Sequence, residues 1–294
     1  MANVHKAVTT ELMQGPATRL SLFRKIEKHL EGRKLVTFFT SFNWQVDITD
    51  DDCDMLQSVL QENDLSDGLA LMISSPGGDG LAAERIVNTC RAYSGTDDFW
   101  AIVPGKAKSA ATIICMGASK IFMAPPSELG PVDPQIFRIE DSARKVYSAH
   151  NLVLGYDELM TAATQTKGPI EPYLQQLAHY DSRDITLYRS LISLSEDIAI
   201  KLLKSGMMSQ MTEKKIKDSI EVFLNPAAGT LSHGRPIFGP EAGGCGLAIE
   251  PMDVASDFWR DVYELYVRTE RFVSYQACKT VESIKEQFHV AAPS

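Results

Sequence analysis

"KAKSAATIICMGASKIFMAP", residues 106–125, holds one serine between lysines and a run of small residues. "SAATIICMGA" reads as a helix, and "SKIFMAP" behind it reads as a strand. Upstream, "DFWAIVP" is a second strand and "LAAERIVNTCRAY" a second helix. Further back, "GLALMISS" is a short apolar run of the kind buried in a parallel sheet, and "KLVTFFTSF" is rich in β-branched and aromatic residues. Between those two lies "ITDDDCDMLQSVLQEN", whose acidic start suits the positive end of a helix dipole. Parallel strands require crossovers, and each connection here has the length of a helix. Residues 34–125 therefore predict a layered α/β core.

The flanks read differently. "ATRLSLFRKIEKHLEG" (17–32) places Leu20, Phe23, Ile26 and Leu30 on one helical face. After Gly130 the prolines of "PVDPQIFR" discourage a helix, and residues 156–203 are mostly helical, interrupted by "KGPIEP". A helix over 212–224 leads into a Gly- and Pro-rich stretch, and a final helix is expected over about 254–288, long enough to pack on a neighbour. There is no internal repeat and no low-complexity linker, so one domain with helical extensions at both ends is expected.

The composition narrows the function classes. The chain has 294 residues, 44% hydrophobic and 23% charged, with a formal net charge of −9. That is the balance of a soluble globular protein, without a basic field for nucleic acid. Five scattered cysteines, never at C-x-x-C spacing, argue for buried free thiols rather than a disulfide framework or a zinc site. The N-terminus lacks a secretory signal and no apolar run is long enough to span a bilayer, so a cytoplasmic location without a membrane span is expected.

Two motifs bear chemistry. In "ISSPGGDG", Gly77 and Gly78 allow a sharp turn and leave backbone N–H groups uncovered, which can hold an anion or merely make a tight turn. The sequence fits neither a P-loop nor a dinucleotide fingerprint. In "KAKSAAT", Ser109 stands at a helix start and on its own reads as an N-cap. Both motifs fall at the carboxyl ends of successive strands, where α/β sheets place their sites. A serine opposite a glycine turn supplies a nucleophile and an oxyanion site together.

"SSPGGDGLAAERIV" followed by "VPGKAKSAATIICMGASKIFMAPPSELGPVDPQI" resembles the serine dehydrogenase proteinase family, related to signal peptide peptidase A and to the proteolytic subunit of the Clp protease. The resemblance is good over roughly residues 35–137 and weaker at both ends, although "SHGRPIFGPEAGGCGLAIE" is similar to the segment in which those relatives return to the sheet. It implies a Clp/crotonase-type fold of repeated β-β-α units, with an N-terminal extension over 1–33, a serine peptidase domain over 34–250 and a C-terminal helical arm over 251–294. It implies Ser109 as nucleophile, Gly78 with Gly77 beside it and Ala110 as oxyanion donors, and Ser75 and Pro76 as partners of an extended peptide. No metal or other cofactor is implied. The relatives' closed assemblies imply a homo-oligomer acting on peptides or unfolded protein. No Walker motif is present, so any ATP-driven unfolding belongs to a partner.

The base is the open point. "SELGPVDPQ" lacks the histidine that Clp-type peptidases carry there, and its Glu128 and Asp133 read better as structural than as catalytic. "TKGPIEPYL" resembles the lysine segment of the signal peptide peptidase A relatives, which points to Lys167, with His150 and His179 as the alternatives. Lys106 and Lys108 are expected in solvent or on a substrate carboxylate. Two other readings stay open: a non-catalytic assembly or peptide-binding protein, and an acyl-CoA hydratase or hydrolase.

Overall fold

The computed structural model of the chain describes residues 3–11, 15–140, 143–225 and 234–293. In chain order its helices are α1 (Val4–Thr10), α2 (Leu20–Glu27), α3 (Asp50–Gln61), α4 (Gly80–Tyr93), α5 (Ala110–Met116), α6 (Ala149–Gln165), α7 (Glu171–Leu177), α8 (Ser182–Lys204), α9 (Glu213–Ser219), α10 (Glu221–Leu224), α11 (Gly239–Gly244) and α12 (Asp257–Tyr275). Its strands are β1 (Lys34–Thr40), β2 (Leu69–Ser74), β3 (Phe99–Val103), β4 (Lys106–Ala107), β5 (Lys120–Met123), β6 (Glu128–Leu129), β7 (Gln135–Glu140), β8 (Ala143–Ser148), β9 (Ile237–Phe238), β10 (Ile249–Pro251), β11 (Ala277–Glu282) and β12 (Gln287–Ala291).

The main sheet has the order β10-β5-β3-β2-β1-β11-β12. From β10 to β1 every pairing is parallel; β11 and β12 close the far side antiparallel. This is the α/β alternation expected from the sequence. β2 and β3 are buried at every position, because helices cover both faces. Alternation along the strands divides the core. Val36, Phe38, Leu71 and Ile73 face α3, α4, α5 and α8, while Leu35, Phe39, Ala70 and Met72 face α2 and α12. On α12 the stripe Trp259, Val262, Leu265 and Phe272 does that covering.

The C-terminal expectation needs correction. The helix stops at Tyr275, and β11 and β12 complete the sheet in place of the long helical arm. Every residue of β11 is buried, including Lys279 and Glu282. Their charge makes the segment read as a solvated helix, but each is answered by an opposite charge inside the fold. Lys279 pairs with Asp52 at 2.7 Å, and Glu282 pairs with the fully buried Arg19. The hairpin β7–β8 also lay outside the sequence reading.

There are two further small sheets. β4-β6-β9 lies beside the turn that carries Ser109, and β7–β8 leads into the helical part α6–α8. Among the described residues no helix is long and apolar enough to cross a membrane. The five cysteines are free and four of them are buried.

Candidate active site

The carboxyl ends of β2 and β3 each run into a short turn and then a helix, which brings the two sequence motifs together. After β2, Ser75 leaves the main sheet and pairs with β4: its N–H donates to Lys106 O at 3.1 Å, and its carbonyl accepts from Lys108 N at 3.0 Å. The chain then turns through Gly77 (φ 109°) and Gly78 (φ 153°), a conformation that side chains oppose. Space demands glycine as well. A Cβ on Gly77 would lie 2.7 Å from Ser109 Cβ, and one on Gly78 would lie 2.2 Å from Ile48 N. Ile48 grips this turn from outside, donating its N–H to Gly77 O at 2.8 Å and accepting from Asp79 N at 2.9 Å.

Ser109 does not cap its helix. It occupies the N-cap position of α5 at φ 50°, ψ −118°, with no side-chain capping hydrogen bond. A non-glycine residue held there costs roughly 1–3 kcal/mol and persists only where its surroundings enforce it. The surroundings here are specific. Thr112 Oγ1 donates to Ala107 O at 2.8 Å and accepts from Gly130 N at 3.1 Å. Lys108 Nζ reaches Glu128 Oε1 at 3.0 Å and Leu129 O at 3.1 Å. The turn is thus tied to β6 on both sides of the serine. Among the described residues the Ser109 hydroxyl makes no hydrogen bond, and no acceptor takes the N–H of Gly78 or Ala110. All three residues line one cleft of about 640 Å³.

The cleft is mainly apolar. Ile113, Ile198 and Val132, all buried, line it together with Leu194 and Phe137. Asp47, Asp79 and Gln135 stand among its polar lining. Asp79 caps α4 through Leu81 N at 2.8 Å.

Several expected roles change. Gly77 faces Ser109, but its N–H already donates to Ser75 Oγ at 3.1 Å, so it has no free donor for an oxyanion. Ser75 is fully buried, with its backbone N–H and C=O bonded to Lys106 and Lys108, and Pro76 lines the cleft. Lys108 is not in solvent. It is largely buried against Glu128, and burial holds its ammonium below the usual lysine range despite that partner. Glu128 pairs with Lys108, and the buried Asp133 accepts from Gln135 Nε2 at 2.9 Å.

Among the described residues no lysine or histidine lines the cleft beside Ser109. Lys167 is exposed on the α6–α7 connection. His150 lies on the first turn of α6, and His179 lines a separate hollow of about 360 Å³ with Arg138, Tyr147 and Tyr188. His5, His29 and His289 are exposed away from the cleft, and His233 lies outside the described residues. Two contributions escaped the sequence reading: the grip of Ile48 and the Lys108–Glu128 tie. Neither has a local signal, since each depends on residues about 20 or more positions away.

A serine at positive φ therefore stands at a helix head beside a glycine turn, in an apolar cleft of an α/β sheet. Residues 33–167 match the ClpP-like SDH-type serine proteinase family, a span that takes in Gly77, Gly78 and Ser109 and ends at Lys167. The uncharacterized protein MJ0137 of Methanocaldococcus jannaschii is 29% identical over 195 residues, which make up 66% of this chain and 56% of that one. This chain therefore spans little more than half the length of that relative. Two solved structures of mutants of the 1510-N membrane-bound stomatin-specific protease, one in complex with a substrate peptide, are 16% and 14% identical. They cover 70% and 76% of this chain and 93% and 94% of their own, each with a TM-score of 0.30.

Proposed function

We propose that the chain is a serine peptidase that hydrolyses peptide bonds through an acyl-enzyme on Ser109. The observation that carries this is the meeting, in one cleft, of an uncommitted serine hydroxyl at positive φ with two unpaired N–H groups, those of Gly78 and Ala110. Ser109 Oγ attacks the carbonyl carbon and the two N–H groups receive the oxygen as its charge develops. The amine leaves with the proton taken from the serine, and water then cleaves the ester. The apolar lining suits a peptide in extended form. We place this activity on a Clp/crotonase-type unit over 34–250, in which β3–β4–α5 and the Ser75 bridge before α4 serve as β-β-α repeats. Residues 1–33 and 251–294 flank that unit, although β11 and β12 belong to its sheet.

For the base we propose Lys167. Its exposed position requires that it reach Ser109 by movement of the α6–α7 connection or from a neighbouring copy, and the second route agrees with a homo-oligomer. Ile139 on β7, 84% exposed, together with exposed Val146, Leu154, Ile170, Leu174 and Leu187, gives the helical part an apolar surface suited to such contacts. A lysine base must be desolvated to be neutral, and burial between copies would do that. The free cysteines agree with a reducing, cytoplasmic setting.

A fluorophosphonate probe tests the assignment. Labelling confined to Ser109, lost in Ser109→Ala, is expected. A folded chain that takes no label supports the second reading, a non-catalytic peptide-binding assembly, which is favoured by the absence of Lys167 and of the described histidines from the cleft lining.

A further inference from the structure

Strand β11 is linked to the glycine turn by a path that begins with one buried ion pair. Lys279 on β11 is 8% exposed and Asp52 on α3 is 1% exposed. Lys279 Nζ stands 2.7 Å from Asp52 Oδ2 and 3.4 Å from Thr49 Oγ1. The same Oδ2 accepts the N–H of Thr49 at 2.8 Å, completing the capping box that starts α3. Thr49 follows Ile48 directly, and Ile48 is the residue whose N–H and C=O hold Gly77 and Asp79 on either side of Gly78. The path from β11 to Gly78 is therefore continuous: ion pair, cap, one peptide bond, two backbone hydrogen bonds.

An ion pair this deep is poor evidence of stabilisation, because desolvating both charges offsets most of their attraction. What it supplies is a fixed direction and distance. The Gly78 turn has strict tolerances, since a Cβ there would come within 2.2 Å of Ile48, and a free N–H acts on a developing oxyanion only when aimed within a fraction of an ångström. We infer that Lys279 and Asp52 are positioning residues that set the aim of the Gly78 N–H through Ile48. The inference rests on the peptidase reading above.

The same strand provides an internal control. Glu282 leads from β11 to Arg19, whose guanidinium also lies 4.7 Å over the Phe272 ring of α12, on the other side of the sheet from α3. Its loss weakens β11 without touching Ile48.

The experiment compares three full-length chains: unaltered, Asp52→Asn/Lys279→Met, and Arg19→Met/Glu282→Gln. Each double replacement leaves no lone buried charge, and the asparagine amide of the first keeps an oxygen for the Thr49 N–H. Turnover of a fluorogenic leucyl peptide amide is measured below every melting temperature, with inhibition by the matching peptide boronate, a tetrahedral mimic of the oxyanion state. The Asp52/Lys279 variant is expected to lose about tenfold or more in kcat and in boronate affinity, with KM within about twofold of the unaltered chain. The Arg19/Glu282 variant is expected to melt lower and keep kcat. Equal kcat in the unaltered and Asp52/Lys279 chains, or equal losses in both variants, overturns the inference and leaves the peptidase reading standing. No turnover and no Ser109 adduct in the unaltered chain overturns both. Should the Asp52/Lys279 variant not fold, Lys279→Arg, which keeps opposite charges but changes their spacing, is read against the same outcomes.

Discussion

At the scale of single residues the site depends on backbone conformations that side chains resist. Gly78→Ala places a methyl group 2.2 Å from Ile48 N at φ 153°, so the turn must move. Turnover is expected to fall by about 10²-fold, with a lower melting temperature; steady-state kinetics and calorimetry check both. Lys108→Met leaves Glu128 charged and largely buried, and chemical denaturation should show a loss of about 3–5 kcal/mol. Glu270 on α12 behaves differently. Burial pushes its carboxyl up to about 7, against the opposing effects of the Ser74 hydroxyl and the Lys106 ammonium. Between an unfolded value near 4.5 and about 7 the folded chain holds a proton that the unfolded chain has lost, so stability falls as pH rises through that window and levels above it. Melting curves of Glu270→Gln should lack that fall, a difference on the order of 3 kcal/mol at neutral pH. Gly77 and Gly78 were legible because positive φ and close approach call for glycine, whereas Ser109, which on its own reads as an N-cap, stood out only beside that turn. Glu270 was not, since a carboxylate in an amphipathic helix looks the same whether it faces water or Ser74.

At the scale of elements the alternation of strands and helices over 34–125 read correctly, because strands covered on both faces are apolar throughout. The short strands β4 and β6 escaped, since two residues carry no periodicity. So did β11, whose charges suggest solvent until Asp52 and Arg19 are seen to receive them. This changes what truncation should do. A chain ending at Tyr275 loses Lys279 and Glu282, the opposite charges that answer the buried Asp52 and Arg19. It is expected to lose cooperative unfolding, whereas removal of a peripheral helical arm would leave the melting transition in place. Circular dichroism during heating distinguishes the two.

At the scale of the whole molecule, the proposed peptidase chemistry requires a proton acceptor at Ser109. If a neighbouring copy brings Lys167, specific activity should rise with concentration in parallel with the assembled fraction seen by light scattering, and Lys167→Met should lose activity while still assembling. Activity that tracks the monomer would remove the neighbouring-copy route. The sequence by itself determined the α/β core and the glycine turn, because each rests on local patterns: apolar runs, helix-length crossovers, glycines with no alternative at their φ. Only the tertiary structure decided that Gly77 is spent on Ser75, that Lys108 faces Glu128, and that β11 braces the sheet and reaches toward Gly78. Those facts depend on which distant groups share a low-dielectric interior, where a charge or an N–H must find its partner, and a linear sequence does not say which partner that is.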